Sequence, residues 1–582
     1  VPQPKINLKY HMNTAHIFYK HIPKNAAAGS TTLAQQKLDN LSGDYTQITF
    51  QAMEACEKRF RLLEQHLNST PFWFFLRLNF YYYLRELLEV QDLIASLRTS
   101  YDSIILYDIP THLKEFLVSH SDFPIIFKTS LKERRNNSGI RKRHRNYIIL
   151  IIIFFLDLFR HLAVLIRALR AKHKGIPHLV YLSSTDALRL KGVKDIYHKI
   201  FHGLSQDHLV TTLELLQLNA EKKSLKGGRP THLPLHIAAA GTTLWHYRRL
   251  CQQFKNFCQT IRWQSDVQNI PEKALTLYLD QLNPWRLLTL IQGEKIYATY
   301  LRWLSPTALI CRNASFTPFN MAAKRARIPL IDIQHGITHR YHPSHCFSCL
   351  PNDTMNPLPD YVLLWDAQFK TPYQITGHPT DKHLMITGNA YAQAAMKDLN
   401  AEAILKDLRL STGDLKILIA VQRDFPFIYL NLLNQLLKNQ QSDLRLIIKT
   451  HPTQYQEAVQ AFRKIESQEP RVRLVSDDTH CNIFQLIAIC DYVVTSGSTV
   501  ALDASALNKP VLLAQSPALD ILAQWLDHFH VIHAHDLAHL DEGLLNTMPA
   551  PPAYGYDAAE KNIATAIRSI VHGIRKTGRR SQ

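Results

Sequence analysis

DYVVTSGSTVALDASALNKPVLL, residues 491–513, decides how this chain folds. A short apolar run ends in the polar turn Thr495-Ser496-Gly497-Ser498-Thr499, helix-forming residues follow at once, and a second apolar run closes the unit. Strand, helix and strand with near-continuous Val/Leu cores indicate a parallel sheet covered on both faces. The turn itself suggests chemistry. Free backbone N–H groups at a helix N-terminus bind phosphate, Gly497 lets an anion approach the backbone, and Ser496, Ser498 and Thr499 add hydroxyl donors. The same residue types also make an ordinary N-cap. What favours a ligand is position, because open α/β sheets bind beyond the carboxyl ends of their strands. Asp503, one turn into the helix, suits either a ribose hydroxyl or a solvated acid favoured by the helix dipole.

The pattern extends in both directions. LKILIAVQ (415–422), LRLIIKTHP (444–452), VRLVSDD (472–478), PVLLAQS (510–516) and HVIHA (530–534) read as further strands, with helices between most of them. HLVYLSS (178–184), HLVTTLEL (208–215), TALICRN (307–313), IPLIDIQHG (328–336), PDYVLLWD (359–366) and HLMITGNAY (383–391) form an earlier series. The fold expected is α/β with two Rossmann-like domains facing a cleft. Residues 1–395 make the N-terminal, acceptor-side domain and 412–582 the C-terminal, nucleotide-binding one. A charged helix over 392–411 joins them. The first hundred residues read mainly as helix, with a strand at SIILYDIP (103–110).

Two more strand ends carry candidate chemistry. IIKTHP brings Lys449 and His451 to the end of a strand in the same domain as the turn, where a cation or N–H donor stabilises a departing phosphate. IPLIDIQHG delivers Gln334-His335-Gly336 to a strand end in the other domain, and a histidine can take a proton from an acceptor hydroxyl. The loop after it, THRYHPSHCFSC (338–349), adds Arg340, three histidines and two cysteines. Arg340 is the residue there suited to an anionic acceptor. HxxxHxxHxxHCxxC has enough ligands for zinc, but its spacing lacks the two separated ligand pairs of zinc templates. No metal is expected.

Charge and cysteine usage bound the partners. The 582 residues carry a formal net charge of +19, which points to an anionic partner. Residues 128–145 hold eight Lys or Arg against one Glu, and the apolar run YIILIIIFFL (147–156) follows directly. That run is too short to span a bilayer as helix. With Arg167, Arg170, Lys172 and Lys174 beyond it, residues 128–174 suit a helical insertion lying on an anionic membrane surface; a buried helix behind a solvated basic loop is the plainer alternative. The basic stretch lacks interleaved aromatics, so nucleic acid is not expected. Eight scattered cysteines fit a reducing compartment. VPQPKINLKYHMNT shows no secretory pattern, and a cytoplasmic protein is expected, peripheral on the inner face of the cytoplasmic membrane.

Gln334-His335-Gly336, Met385-Ile386-Thr387-Gly388-Asn389, Lys449-Thr450-His451-Pro452 and Thr495-Ser496-Gly497-Ser498-Thr499 occur in that order. Over about residues 305–535 this resembles bacterial GT-B glycosyltransferases of surface and capsular polysaccharide assembly, including polysialyltransferases, Kdo transferases and CDP-glycerol glycerophosphotransferases. The resemblance implies His335 as candidate base near the acceptor, His451 on the donor phosphate, and Ser498 and Thr499 binding that phosphate. It also implies metal-independent transfer from a nucleotide-sugar donor to a polysaccharide or glycolipid acceptor, with no cofactor. Glycerophosphotransferases carry Trp before His-Gly where this chain has Gln334, which favours a sugar donor. Two other readings compete: a sugar-nucleotide enzyme like UDP-N-acetylglucosamine 2-epimerase, and a basic membrane-associated or zinc-stabilised scaffold with a degenerate cleft.

Overall fold

Three parallel sheets organise the described residues of the computed structural model. These residues are 14–18, 31–32, 47–54, 56, 72–107, 109–120, 124–128, 157–184, 196–215, 233–264, 270–312, 317–346, 357–397, 399–422, 426–438, 443–451, 456–476, 481–516, 519–532 and 555–578. The basic run 129–145 and the apolar run 147–156 lie outside them, as do Cys349, Pro452 and Asp477–Asp478. The first sheet comprises β1 (Thr14–Phe18), β2 (Thr31–Thr32), β3 (Ser103–Tyr107) and β4 (Ile125–Lys128), in the order β2-β1-β3-β4. The helical reading of the first hundred residues is therefore incomplete. TAHIF is a strand too short to be recognised alone, and pairing with β3 over five residues secures it. Helix α1 (Phe72–Leu97) contributes Phe80, Leu84, Leu87 and Leu93 to the same core, all with no exposed area.

The second sheet begins after helix α2 (157–173). It contains β5 (His178–Ser184), then helix α3 (Ile196–Leu204), β6 (Leu209–Leu215), helix α4 (Pro284–Leu304), β7 (Ala308–Cys311), β8 (Leu330–Ile333), β9 (Tyr361–Leu364) and β10 (Leu384–Ile386). The order is β10-β9-β8-β7-β5-β6. Strand alternation divides the core cleanly: Leu179 and Tyr181 face α3, whereas Val180 and Leu182 face α2 and α4. Helix α5 (Ala390–Lys397) follows. The single helix expected over 392–411 is two, because Asn400 accepts from the backbone N–H of Ala403 and starts a new helix, Ala401–Asp407.

The third sheet holds β11 (Leu415–Val421), β12 (Leu444–Thr450), β13 (Val472–Val475), β14 (Tyr492–Thr495), β15 (Val511–Ala514) and β16 (His530–Ile532). Its order, β13-β12-β11-β14-β15-β16, reverses direction between β11 and β14. Helix α6 (Thr499–Ala506) springs from β14. Together the two six-stranded parallel sheets give an α/β architecture of two Rossmann-like units. Helix α7 (Ala559–Gly578), although it follows the third sheet in sequence, packs on the second. Ile563, Ile567, Ile570 and Val571 join the cluster of Leu179, Tyr181, Ile310 and Ile333, and Arg568 pairs with Asp207 at 2.9 Å.

The Thr387-Gly388-Asn389 segment anchors this return. A Cβ on Gly388 would lie 2.7 Å from the Gly555 carbonyl, and its φ of +85° independently requires glycine. Asn389 N–H donates to that carbonyl at 3.1 Å, while its side chain caps α5 through Tyr391 and Ala392.

Candidate active site

The turn Thr495–Thr499 stands at the topological switch point of the third sheet, where strand order reverses. Ser498 is the N-cap of α6, extended at φ −140° and ψ 151°, and its Oγ accepts from Val500 N–H at 3.3 Å. Capping uses a hydroxyl lone pair, so the Ser498 O–H can still donate to an anion. The N-cap and phosphate-binding readings are thus compatible. Thr499 opens the helix half-buried, with its hydroxyl beside the same N-terminus.

The remaining turn residues are less available. Ser496 is fully buried and hydrogen-bonded to Ser516, and the Gly497 carbonyl accepts from the Gln422 side chain at the end of β11. These two contacts shape the turn; Ser496 supports the site from below instead of lining it. Asp503 is buried at 5% exposure, which overturns its reading as a solvated helix acid. Lys449 is likewise buried near the end of β12, whereas His451, two residues on, is exposed. They share a strand face but not an environment.

At the carboxyl end of β8, Gln334 is 3% exposed. Its Oε1 accepts from Trp365 N–H at 2.8 Å, its Nε2 donates to the Gly336 carbonyl at 3.0 Å, and its own carbonyl accepts from Trp365 Nε1 at 3.0 Å. The expected acceptor-side contact is corrected accordingly. The amide is consumed in fixing the turn on which His335 and Gly336 stand.

His335 is exposed at the end of this turn. Partial desolvation, then the Arg312 guanidinium and His342, hold its pKa well below the ordinary histidine value. It is neutral near pH 7. Arg312, just beyond β7, also lies 5.5 Å from the Tyr197 ring centroid. Its sequence signal was a cation directly after a buried strand, which the sequence reading passed over. Asp332 was missed too, although it is an acid within the otherwise apolar LIDI. It is fully buried, accepts from the Cys311 thiol at 3.4 Å, and burial raises its pKa to about 7.

The histidine loop packs as rings. Centroids are 5.4 Å apart for His339 and His342 and 4.6 Å for His342 and His345, and His345 Nδ1 lies 3.1 Å from the Tyr373 hydroxyl. Burial lowers the pKa of all three, that of His342 to about 4. Arg77 of α1, 2% exposed, donates to the carbonyls of Pro343 and Cys346. Among the described residues no three His, Cys, Asp or Glu converge as a metal ion requires. Arg340 is exposed, its guanidinium 4.8 Å from the Tyr341 ring centroid.

Residues 420–521 match the family described as capsule polysaccharide biosynthesis protein. That span contains β12 with Lys449 and His451, the phosphate turn and α6. No curated protein matches the chain. Among solved structures, the S. aureus MnaA–UDP complex is 12% identical, covering 68% of this chain and 97% of that one, with a TM-score of 0.43. UDP-GlcNAc 2-epimerase from Neisseria meningitidis bound to UDP-GlcNAc is 14% identical, covering 67% and 99%, at 0.40. Anabaena HepE in complex with UDP and glucose is 15% identical, covering 69% and 98%, at 0.36. At such scores these likenesses carry no argument about what this chain does.

Proposed function

We propose that this protein is a glycosyltransferase that moves a sugar from a nucleotide-activated donor to a surface polysaccharide or lipid-linked glycan. The observation that carries the reading is the capped, hydroxyl-rich turn at the switch point of the third sheet, inside the segment that matches the capsule family. In the proposed reaction neutral His335 takes the proton of the acceptor hydroxyl. The acceptor oxygen forms a bond to the anomeric carbon, and the bond from that carbon to the phosphate oxygen breaks. The leaving nucleotide keeps the electron pair, and its negative charge is met by the N-terminus of α6, the Ser498 and Thr499 hydroxyls and His451. Arg340 serves the acceptor side.

The reading includes no metal ion and no nucleic-acid partner. It places the protein on the inner face of the cytoplasmic membrane, where a lipid-linked acceptor would be reached. No described helix is long and apolar enough to cross a membrane.

Thermal-shift screening against CMP, CDP, UDP and GDP tests the donor site: one nucleotide should raise the Tm and Ser498→Ala should weaken the response. With the matching sugar nucleotide, transfer to acceptor should proceed unchanged in EDTA. Absence of any nucleotide response would sink the proposal. Conversion of the donor without acceptor would replace it with the epimerase-type reading.

A further inference from the structure

Helix α2 has two unlike faces. Asp157, His161, Val164, Ala168 and Ala171 are all below 9% exposed and form its inner stripe. Val164 and Ala168 pack with Tyr297, Tyr300 and Leu301 of α4, and His161 Nδ1 lies 2.7 Å from the Tyr300 hydroxyl. This contact fixes the helix's rotation. The opposite face is apolar and open: Leu158 is 52% exposed, Phe159 71%, Leu162 55%, Ile166 43% and Leu169 56%. At 3.6 residues per turn these five fall within an arc of roughly 100°. Arg167 and Arg170 border one side of that arc and Lys172 the other, all three exposed. The only acid between 157 and 174, Asp157, is buried and paired with Arg160 at 2.8 Å.

An aliphatic strip with cationic borders and no acid complements one environment, in which the strip enters hydrocarbon while the cations meet anionic head groups. A second copy docked symmetrically would bring the same cations against one another. From this geometry we infer that the outer face of α2 is the membrane-docking surface and that its ligand is an anionic lipid bilayer. The inference deepens the membrane placement in the proposed function and rests on it only for the location of the acceptor. Binding occurs parallel to the bilayer plane, with Leu162 and Ile166 at its centre.

The test uses the full chain, with neither donor nor acceptor, sedimented with vesicles of pure phosphatidylcholine or of phosphatidylcholine containing phosphatidylglycerol. Wild type should bind the anionic vesicles at least tenfold more tightly. Leu162→Gln/Ile166→Gln should weaken binding to them at least tenfold. Arg167→Gln/Arg170→Gln/Lys172→Gln should reduce it roughly a hundredfold, since each cation near an anionic surface is worth roughly fivefold. All these side chains point outward, so Tm and nucleotide response should persist. Failure of nucleotide binding with vesicle binding intact would count against the transferase reading alone. Wild type that ignores anionic vesicles, or variants that bind like wild type, would overturn the inference. So would a dimer in solution that becomes monomeric in the leucine–isoleucine variant, because a second copy would then cover the face.

Discussion

The two strand ends that make up the candidate site are built in contrasting ways. At the third sheet, binding capacity resides largely in the main chain: a helix N-terminus, a glycine and short hydroxyl side chains. At the second sheet it resides in one imidazole, whose pKa desolvation and a neighbouring guanidinium hold low. A main-chain site tolerates side-chain change and yields affinity. A side-chain site depends on a single residue and on everything that positions it. The Thr495–Thr499 turn is braced by Gln422 and Ser516, whereas the His335 turn is held by Gln334 and Trp365 and followed by a loop that Arg77 pins from α1.

Substitutions should expose this asymmetry. His335→Ala should reduce transfer by roughly 10²–10⁴-fold, the usual contribution of a general base, while the nucleotide-induced Tm shift survives. Normal turnover in that variant would remove the side-chain half of the contrast. Arg77→Met should destabilise the fold by about 3 kcal/mol, because it leaves two buried carbonyls without their donor. Chemical denaturation would measure this, and an unchanged midpoint would mean the loop does not depend on α1.

Acid should act on the histidine loop before it acts on the turn. Each ring has a folded-state pKa below its unfolded value of roughly 6.5, so the unfolded chain takes up protons that the folded chain refuses. This contribution is complete above that value and is lost as pH falls towards about 4, the value for His342. The slope should be about 1.4 kcal/mol per pH unit for each histidine involved. Tm measured from pH 7.5 to 4.5 should fall, and His342→Gln should make the fall shallower by one proton. A flat wild-type profile would mean that the rings titrate freely. The smallest effect belongs to the turn: Ser498→Ala should cost about 1 kcal/mol of stability through the lost cap, with a weaker nucleotide response. A larger cost to stability than to nucleotide binding would make Ser498 a cap alone.

Most of the architecture could be read from the chain because parallel strands announce themselves. Runs such as LKILIAV and LIDI are mostly apolar and buried on both faces. Periodicity could not tell which polar residues at strand ends face inward. Gln334 and Ser496 look like ligands in sequence, yet both are buried and hydrogen-bonded within the protein, Gln334 to Trp365 and Ser496 to Ser516, partners 31 and 20 residues away. Arg312 and Asp332 were overlooked for the opposite reason, since single polar residues beside strands are common and only the tertiary neighbours give them meaning. The short strands β1 and β2 were hidden because β1 is secured by pairing with β3 and β2 by pairing with β1, not by local pattern.

The backward packing of α7 has a consequence for biosynthesis. One apolar face of the second sheet, the face that includes Ile333 two residues before His335, is closed by Ile563, Ile567 and Val571. During translation that face stays open until some 230 further residues have been made. The strand that presents the proposed base is thus among the last elements to gain its full packing, and a nascent chain interrupted before residue 559 has a complete third sheet but an unfinished second one.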